Sequence, residues 1–215
     1  DKSHFPDVMD SVVIGNGLSK ESFLPRDVAK EFNATFPELT GKKLVLFLGR
    51  VDPKKQPDVV IRAFSEIVGM DVQLHLVVAG PYENAYRADL ERIAIELGIV
   101  DRVMFTGMLS GNVLYGAYRA AFLYVLPSHQ ENFGISVAEA MAGFCPVIVS
   151  EHVDIKDVIA DAGAGRVCSS DYKAVAQEMR YILNDPILAR KMGENGRRVA
   201  EQFFKWDMIA EKLDK

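Results

Sequence analysis

Short apolar segments, each stopped by glycine or proline and followed by a helical pattern, constrain this chain more than any other feature. Leu44–Leu48 stops at Gly49, Leu74–Ala79 at Gly80-Pro81, Val103–Phe105 before Gly107, and Phe122–Leu126 at Pro127. Pro146–Val149 and Arg166–Cys168 complete the set. A helix opens at Pro57 with Val60, Ile61, Phe64 and Ile67 on one face. Further helices are expected over Ala85–Leu97, closed by Gly98, over Asn112–Ala120, capped by Ser110 or Asn112, and over Gly134–Gly143 and Ile155–Ala162. Three more follow the last strand, over Asp171–Leu183, Pro186–Phe203 and Trp206–Leu213.

Strands that are apolar throughout are covered on both faces, which is the signature of a parallel sheet. Their alternation with helices gives an α/β, doubly wound, Rossmann-like sheet of about six strands with helices on both faces. The first forty residues lack the pattern. Ser11–Ile14 reads as one small strand ended by Gly15-Asn16-Gly17, and Phe32–Thr40 as a connection broken by Pro37 and Gly41. The expected organisation is therefore a linker with one small strand over 1–40, the doubly wound domain over 41–203, and a C-terminal helix over 204–215.

The composition narrows the functions available. Lys plus Arg number 25 against 30 Asp plus Glu, a formal charge of −5, which argues against a nucleic-acid binder. At 49% hydrophobic and 26% charged, the 215 residues are ordinary globular material. Cys145 and Cys168 are too few for a disulfide framework or a structural zinc site. No apolar run approaches the ~20 residues of a membrane span, and no leader pattern opens these residues, so cytoplasmic residence is expected.

In open α/β sheets ligands bind beyond the carboxyl ends of the strands, where the strand order reverses. The loop after the first strand, Gly49-Arg50-Val51-Asp52-Pro53-Lys54-Lys55, brings three cations to a helix start and suits an anion. After the fourth strand, Glu131 and Glu139 bracket Phe133, Gly134 and Ile135, whose backbone N–H groups open a helix. Carboxylates accept from hydroxyls, and glycine admits a close backbone approach. Cations in one loop and hydroxyl acceptors in the other, at one sheet edge, suit a ligand carrying both phosphates and sugar hydroxyls, as a nucleoside diphosphate sugar does. No Asp-x-Asp triplet occurs, so no metal site is assigned and Arg50 and Lys55 are expected to balance the diphosphate charge. A nicotinamide-binding module is disfavoured, because no Gly-x-Gly-x-x-Gly follows the first long strand.

The two loops together resemble the donor-binding half of the family 4, or group 1, retaining glycosyltransferases of the two-domain GT-B fold. The resemblance rests on Gly49-Arg50 with Lys55, on the E-x₇-E pattern of Glu131-Asn132-Phe133-Gly134 through Glu139, and on flanking Pro127-Ser128 and Pro146-Val147-Ile148. It runs from about Val12 to Phe203. It implies that Arg50 and Lys55, beside Gly49, hold the donor diphosphate and that Glu131 holds donor-sugar hydroxyls. By the same resemblance Glu139 holds the ribose, the backbone of Phe133, Gly134 and Ile135 meets sugar and phosphate, and Met108-Leu109 flanks the nucleobase. It implies no cofactor beyond the nucleotide-sugar donor. The acceptor would be held mainly by an N-terminal domain to which nothing here corresponds. Asp1 begins about where the interdomain linker would, and this domain alone would be inert or nearly so. A full-length protein of this kind could associate peripherally with the cytoplasmic face of a membrane. A GT-B epimerase and a non-catalytic sugar-nucleotide-binding module are the alternatives. Two positions depart from the family pattern: Phe144 stands where a glycine is usual, and Ser150-Glu151-His152-Val153-Asp154 replaces the usual Gly-Gly loop.

Overall fold

A computed structural model describes residues 16–213. Its strands are β1 Lys43–Leu48, β2 Leu74–Ala79, β3 Val103–Gly107, β4 Ala121–Leu126, β5 Val147–Ser150 and β6 Gly165–Cys168. All pair in parallel, in the order β3-β2-β1-β4-β5-β6. The chain thus grows from β1 toward β3, then jumps back to β4 and grows the other way. The reversal falls between β1 and β4, which puts the loops after these two strands at the switch point. Both strands are almost entirely buried, as their unbroken apolar sequences require.

The helices are α1 Ala29–Thr35, α2 Pro57–Ser65, α3 Asn84–Glu96, α4 Gly111–Ala120, α5 Ile135–Ala142, α6 Lys156–Asp161, α7 Tyr172–Leu183, α8 Pro186–Phe203 and α9 Trp206–Leu213. Right-handed crossovers put α2 and α3 on one face of the sheet and α4, α5 and α6 on the other. The remaining helices thicken these layers: α7 packs on α2, α8 on α5, and α1 on α4. Local sequence sets the ends. Asp171 caps α7 by accepting from the Lys173 and Ala174 amides, and Asp185 caps α8 by accepting from Leu188 N at 2.9 Å, with Pro186 at the first helical position. No helix among the described residues is long and apolar enough to cross a membrane.

The stretch expected as an irregular linker differs. The proposed strand at Ser11–Ile14 lies outside the described residues. Residues beyond it form short 3₁₀ turns at Lys20–Phe23, Arg26–Val28 and Pro37–Leu39 around α1. Phe32, expected in a connection, is fully buried. It docks where α4 carries Gly116, at which a Cβ would stand 2.8 Å from the Val28 carbonyl oxygen and 3.0 Å from Phe32 Cβ. The incoming segment also meets the outgoing one: Leu18 N donates to Phe204 O at 2.6 Å, and Leu18 pairs with Lys205 just before α9.

Phe144 explains its own departure from the family pattern. It has φ 60°, the left-handed region that a glycine enters freely. Its ring lies between the Arg119 and Arg197 guanidinium groups, 5.6 and 5.0 Å from the ring centroid. Phe144→Gly relieves about 1–2 kcal/mol of backbone strain. It forfeits two cation–π contacts of about 0.5–1 kcal/mol each, half-buried aromatic surface, and some unfolded-state restriction. The losses prevail, so the variant is expected to melt roughly 3–6 °C lower, as about 1–2 kcal/mol dictates at this size. A higher melting temperature in calorimetry contradicts that balance.

Candidate functional site

The loop after β1 and the loop after β4 are fastened to each other. Lys54 O accepts from His129 N at 2.9 Å and from Ser128 Oγ at 3.0 Å. Below them, the buried Tyr124 hydroxyl on β4 donates to Leu48 O at 2.9 Å and lies 2.8 Å from Ser136 Oγ in α5. Across this joint Lys55 Nζ donates to Glu131 Oε2, an ion pair with both side chains largely buried. Two residues 76 apart in sequence thus meet at the switch point.

The loop after β5, whose Ser150–Asp154 sequence departs from the family pattern, sets the backbone of Glu131. Glu131 N donates to His152 O at 3.1 Å, Asp154 N donates to Glu131 O at 3.0 Å, and Ser150 Oγ donates to Ser128 O. Glu131 therefore sits on a short strand-like bridge to Val153 rather than in an open loop. Next comes Gly134 with φ 79°, the left-handed cap of α5. A Cβ there would press on Val137 and on the Glu131 side chain, so glycine is required for both turn and packing. The first N–H groups of α5 have no helical acceptor and face outward from the helix start. Phe133, just before, is half-buried and packs edge-on against Phe204, with centroids 5.3 Å apart. Ile135 is half exposed.

Glu139 lies one turn deeper in α5. The Tyr118 hydroxyl donates to its Oε2 at 3.0 Å. Burial raises the Glu139 carboxyl pKa above the ordinary glutamate value, and the Tyr118 hydrogen bond only partly counters this. Glu139 closes the floor of a cavity of about 220 Å³ whose walls include Gly49, Arg50, Met108 and Leu109. Met108 is 76% exposed at the rim. Arg50 is itself largely exposed and pairs with Asp52 at 3.5 Å.

The residues singled out in the sequence thus fall into two adjoining groups. Lys55 joins Glu131, ahead of Phe133, Gly134 and Ile135; Arg50, Gly49, Met108 and Leu109 share a cavity with Glu139. Sequence reasoning missed Tyr118, Tyr124 and Ser136, which orient the site from below, and the β5 loop, which holds Glu131 in place. Among the described residues no group of three or more His, Cys, Asp or Glu is arranged to hold a metal ion.

Comparison with known proteins adds to this geometry. The family model for glycosyl transferases group 1 matches residues 29–199. The D-inositol 3-phosphate glycosyltransferase of Streptomyces avermitilis is 32% identical over 92% of this chain, and that of Mycolicibacterium smegmatis is 37% identical over 71%. These alignments take in 44% and 35% of the two relatives, so the chain spans less than half the length of the curated relatives it matches. Among solved structures, sucrose-phosphate synthase of Thermosynechococcus elongatus superposes with a TM-score of 0.83 and 29% identity, over 94% of this chain and 51% of that one. HepE of Anabaena, solved with UDP and glucose, gives 0.83 at 19% identity over 94% of this chain and 55% of its own, a likeness of fold. The C-terminal domain of a group 1 family glycosyl transferase from Francisella tularensis superposes over 88% of this chain and 100% of its own, with a TM-score of 0.78 at 23% identity. The chain belongs to the group 1 glycosyl transferases and corresponds to their C-terminal, Rossmann-like domain.

Proposed function

We propose that this chain binds a nucleoside diphosphate sugar and stabilises the leaving diphosphate during a retaining, metal-independent glycosyl transfer, with the acceptor held mainly by the rest of a longer, cytoplasmic protein. The observation that carries the reading is the Lys55–Glu131 pair standing at the switch point beside the Arg50–Glu139 cavity. Family membership supports it, as do solved relatives of the same fold whose complexes contain UDP.

The chemistry assigns each group one task. As the bond from the anomeric carbon to the diphosphate breaks, negative charge grows on the departing oxygen. Arg50 and Lys55 supply positive charge there, and the α5 N-terminus adds its amides and dipole. Glu131 accepts from hydroxyls of the transferred sugar, and Glu139 from the ribose. Met108 and Leu109 flank the base, and Gly49 stands beside the diphosphate. In this reading the diphosphate competes with Glu131 for Lys55, so ligand binding rearranges an existing ion pair.

The test is an NMR titration of the amide spectrum with UDP, GDP, ADP and their common sugar conjugates. Saturable shifts confined to residues 49–55, 108–109 and 131–139 are expected for one of the bases. Absence of binding by all three, or shifts centred elsewhere, refutes the reading.

Glu139→Gln separates stability from binding. The raised carboxyl keeps its proton to higher pH in the fold than in the unfolded chain. The folded state is therefore penalised for its charge above that raised value, and the penalty disappears as pH falls below the ordinary glutamate value of about 4.3. Glutamine removes the charge and still accepts from Tyr118. The variant is expected to melt a few degrees higher than the native chain at pH 8 and to match it near pH 4, while nucleoside affinity falls on the order of 10-fold from loss of a charged acceptor. A lower melting temperature at pH 8 contradicts the assignment.

A further inference from the structure

Arg50 lines two hollows. One is the Glu139 cavity, walled by α4 and α5. The other lies between the loop after β1 and the loop after β2, at the start of α3, and encloses about 370 Å³. That volume falls in the ~300–1,000 Å³ range of small-molecule sites. The reading above leaves this larger hollow unused.

Its lining is specific in kind. Tyr82 and Tyr86 present aromatic surface, and Pro53 and Pro81 add rigid apolar walls. The rings are held in place. Arg87 Nη1 donates to the Tyr82 hydroxyl at 2.6 Å and its guanidinium stacks over the Tyr82 ring at 5.0 Å, while Asp58 stands beside the Tyr86 hydroxyl. Pairing of the Val51 and Tyr82 backbones ties the two walls together, with Val51 N donating to Pro81 O at 2.9 Å. The two loops that carry the hollow are therefore fixed to each other through their backbones.

Its charge excludes one class of ligand. Arg50 is already paired with Asp52 at 3.5 Å, Glu83 adds a second carboxylate, and Asp58 a third behind Tyr86. Arg50 is the cation of the lining and is already paired, and Arg87, behind Tyr82, is paired with Glu91 at 2.8 Å, so the carboxylates prevail and repel a second phosphate or carboxylate ligand. Carboxylates accept from hydroxyls, and tyrosine and proline faces pack on C–H-rich surfaces. Those two demands meet in a neutral polyhydroxylated ring.

We propose that this hollow is a carbohydrate subsite that takes a neutral sugar unit other than the one carried on the donor. It rests on the donor reading in one respect, that the other side of Arg50 faces the donor diphosphate. Tyr82 and Tyr86 receive the apolar face of the ring, and Asp52 and Glu83 accept from its hydroxyls. A sugar held there lies beside the donor, on the other side of Arg50.

The experiment is an amide NMR titration with maltose, run on the chain saturated with whichever of UDP, GDP and ADP binds, or on the free chain if none does. Donor binding is thereby read separately, and its failure leaves this test intact. Saturable shifts at residues 52–53 and 81–86, with an affinity in the ~mM range, are expected. Tyr86→Ala abolishes saturation without changing nucleotide affinity, Tyr86→Phe keeps it within about 3-fold because the ring remains, and glucose 6-phosphate binds more weakly than glucose. The absence of saturable shifts overturns the proposal. So do shifts confined to 131–135, which place the sugar in the donor subsite, and a Tyr86→Ala chain that binds maltose as the native one does.

Discussion

Gly80→Ala is expected to destabilise the fold by roughly 3–5 kcal/mol and to abolish nucleotide binding. Gly80 has φ 133°, and a Cβ there would lie 1.7 Å from the Gly49 carbonyl oxygen. Neither backbone can retreat. Gly80 N donates to Gly107 O at 2.8 Å, Gly49 N donates to Ala79 O at 3.1 Å, and Val51 N donates to Pro81 O at 2.9 Å. Relief of the clash breaks this ladder and displaces Arg50 with it. The expected fall in melting temperature is roughly 6–20 °C. Gly49→Ala is the control: its Cβ meets nothing within 4 Å, so stability stays within about 0.5 kcal/mol. That methyl group projects from the wall of the Glu139 cavity, and nucleotide affinity falls nonetheless. A Gly80→Ala chain as stable as the native one contradicts the account of this joint.

Lys55→Ala carries the largest expected loss of function that does not come from disrupting the backbone. It leaves the Glu131 carboxylate, with its side chain only 19% exposed, without its cation. An unpaired, largely buried charge costs about 1–3 kcal/mol. The lost charge-assisted contact to phosphate lowers diphosphate affinity by roughly 10- to 100-fold. Glu131→Gln acts in the opposite sense on one ligand. It frees Lys55, so the nucleoside diphosphate binds a few-fold tighter, while the extra affinity of the sugar conjugate over the bare diphosphate disappears. Calorimetric titration of both ligands reads the two effects together. Weaker diphosphate binding by Glu131→Gln shows that the ion pair does not compete with the ligand.

The strands were legible because the chemistry that makes them is local. Leu74–Ala79 is apolar throughout and closed by Gly80-Pro81, and β2 occupies those residues. Pro186 and the cap at Asp185 mark the start of α8 equally well. α1 was not legible: over Ala29–Thr35 Phe32 is its buried residue, which gives no periodicity, and its reason to be a helix is Gly116, far along the chain. The left-handed turn at Phe144 was visible only as a mismatch with the glycine usual in the family. Its physical cause, two flanking guanidinium groups from α4 and α8, is tertiary.

The candidate site divides in the same way. The strand-end rule and the charge pattern bring out Arg50, Lys55, Glu131 and Glu139 without any knowledge of contacts. They do not reveal that Lys55 and Glu131 pair in the absence of ligand. The Tyr118 hydroxyl on Glu139, the Ser150 loop under Glu131 and the edge of Phe133 on Phe204 are invisible too. These partners lie between 21 and 71 positions apart, and ordinary core and loop residues supply them. That spacing carries no motif, because the groups act through the fold and not through their neighbours in sequence.

The most direct test of a single donor site is a calorimetric ladder of three ligands, nucleoside, nucleoside diphosphate and sugar conjugate, against three variants. Glu139→Gln is expected to weaken all three alike. Arg50→Ala is expected to spare the nucleoside and weaken the other two by on the order of 10-fold. Glu131→Gln is expected to spare the nucleoside, tighten the diphosphate a few-fold and remove the increment added by the sugar. Equal losses of all three ligands in every variant, or a sugar increment untouched by Glu131→Gln, contradict the claim that these side chains surround one activated carbohydrate.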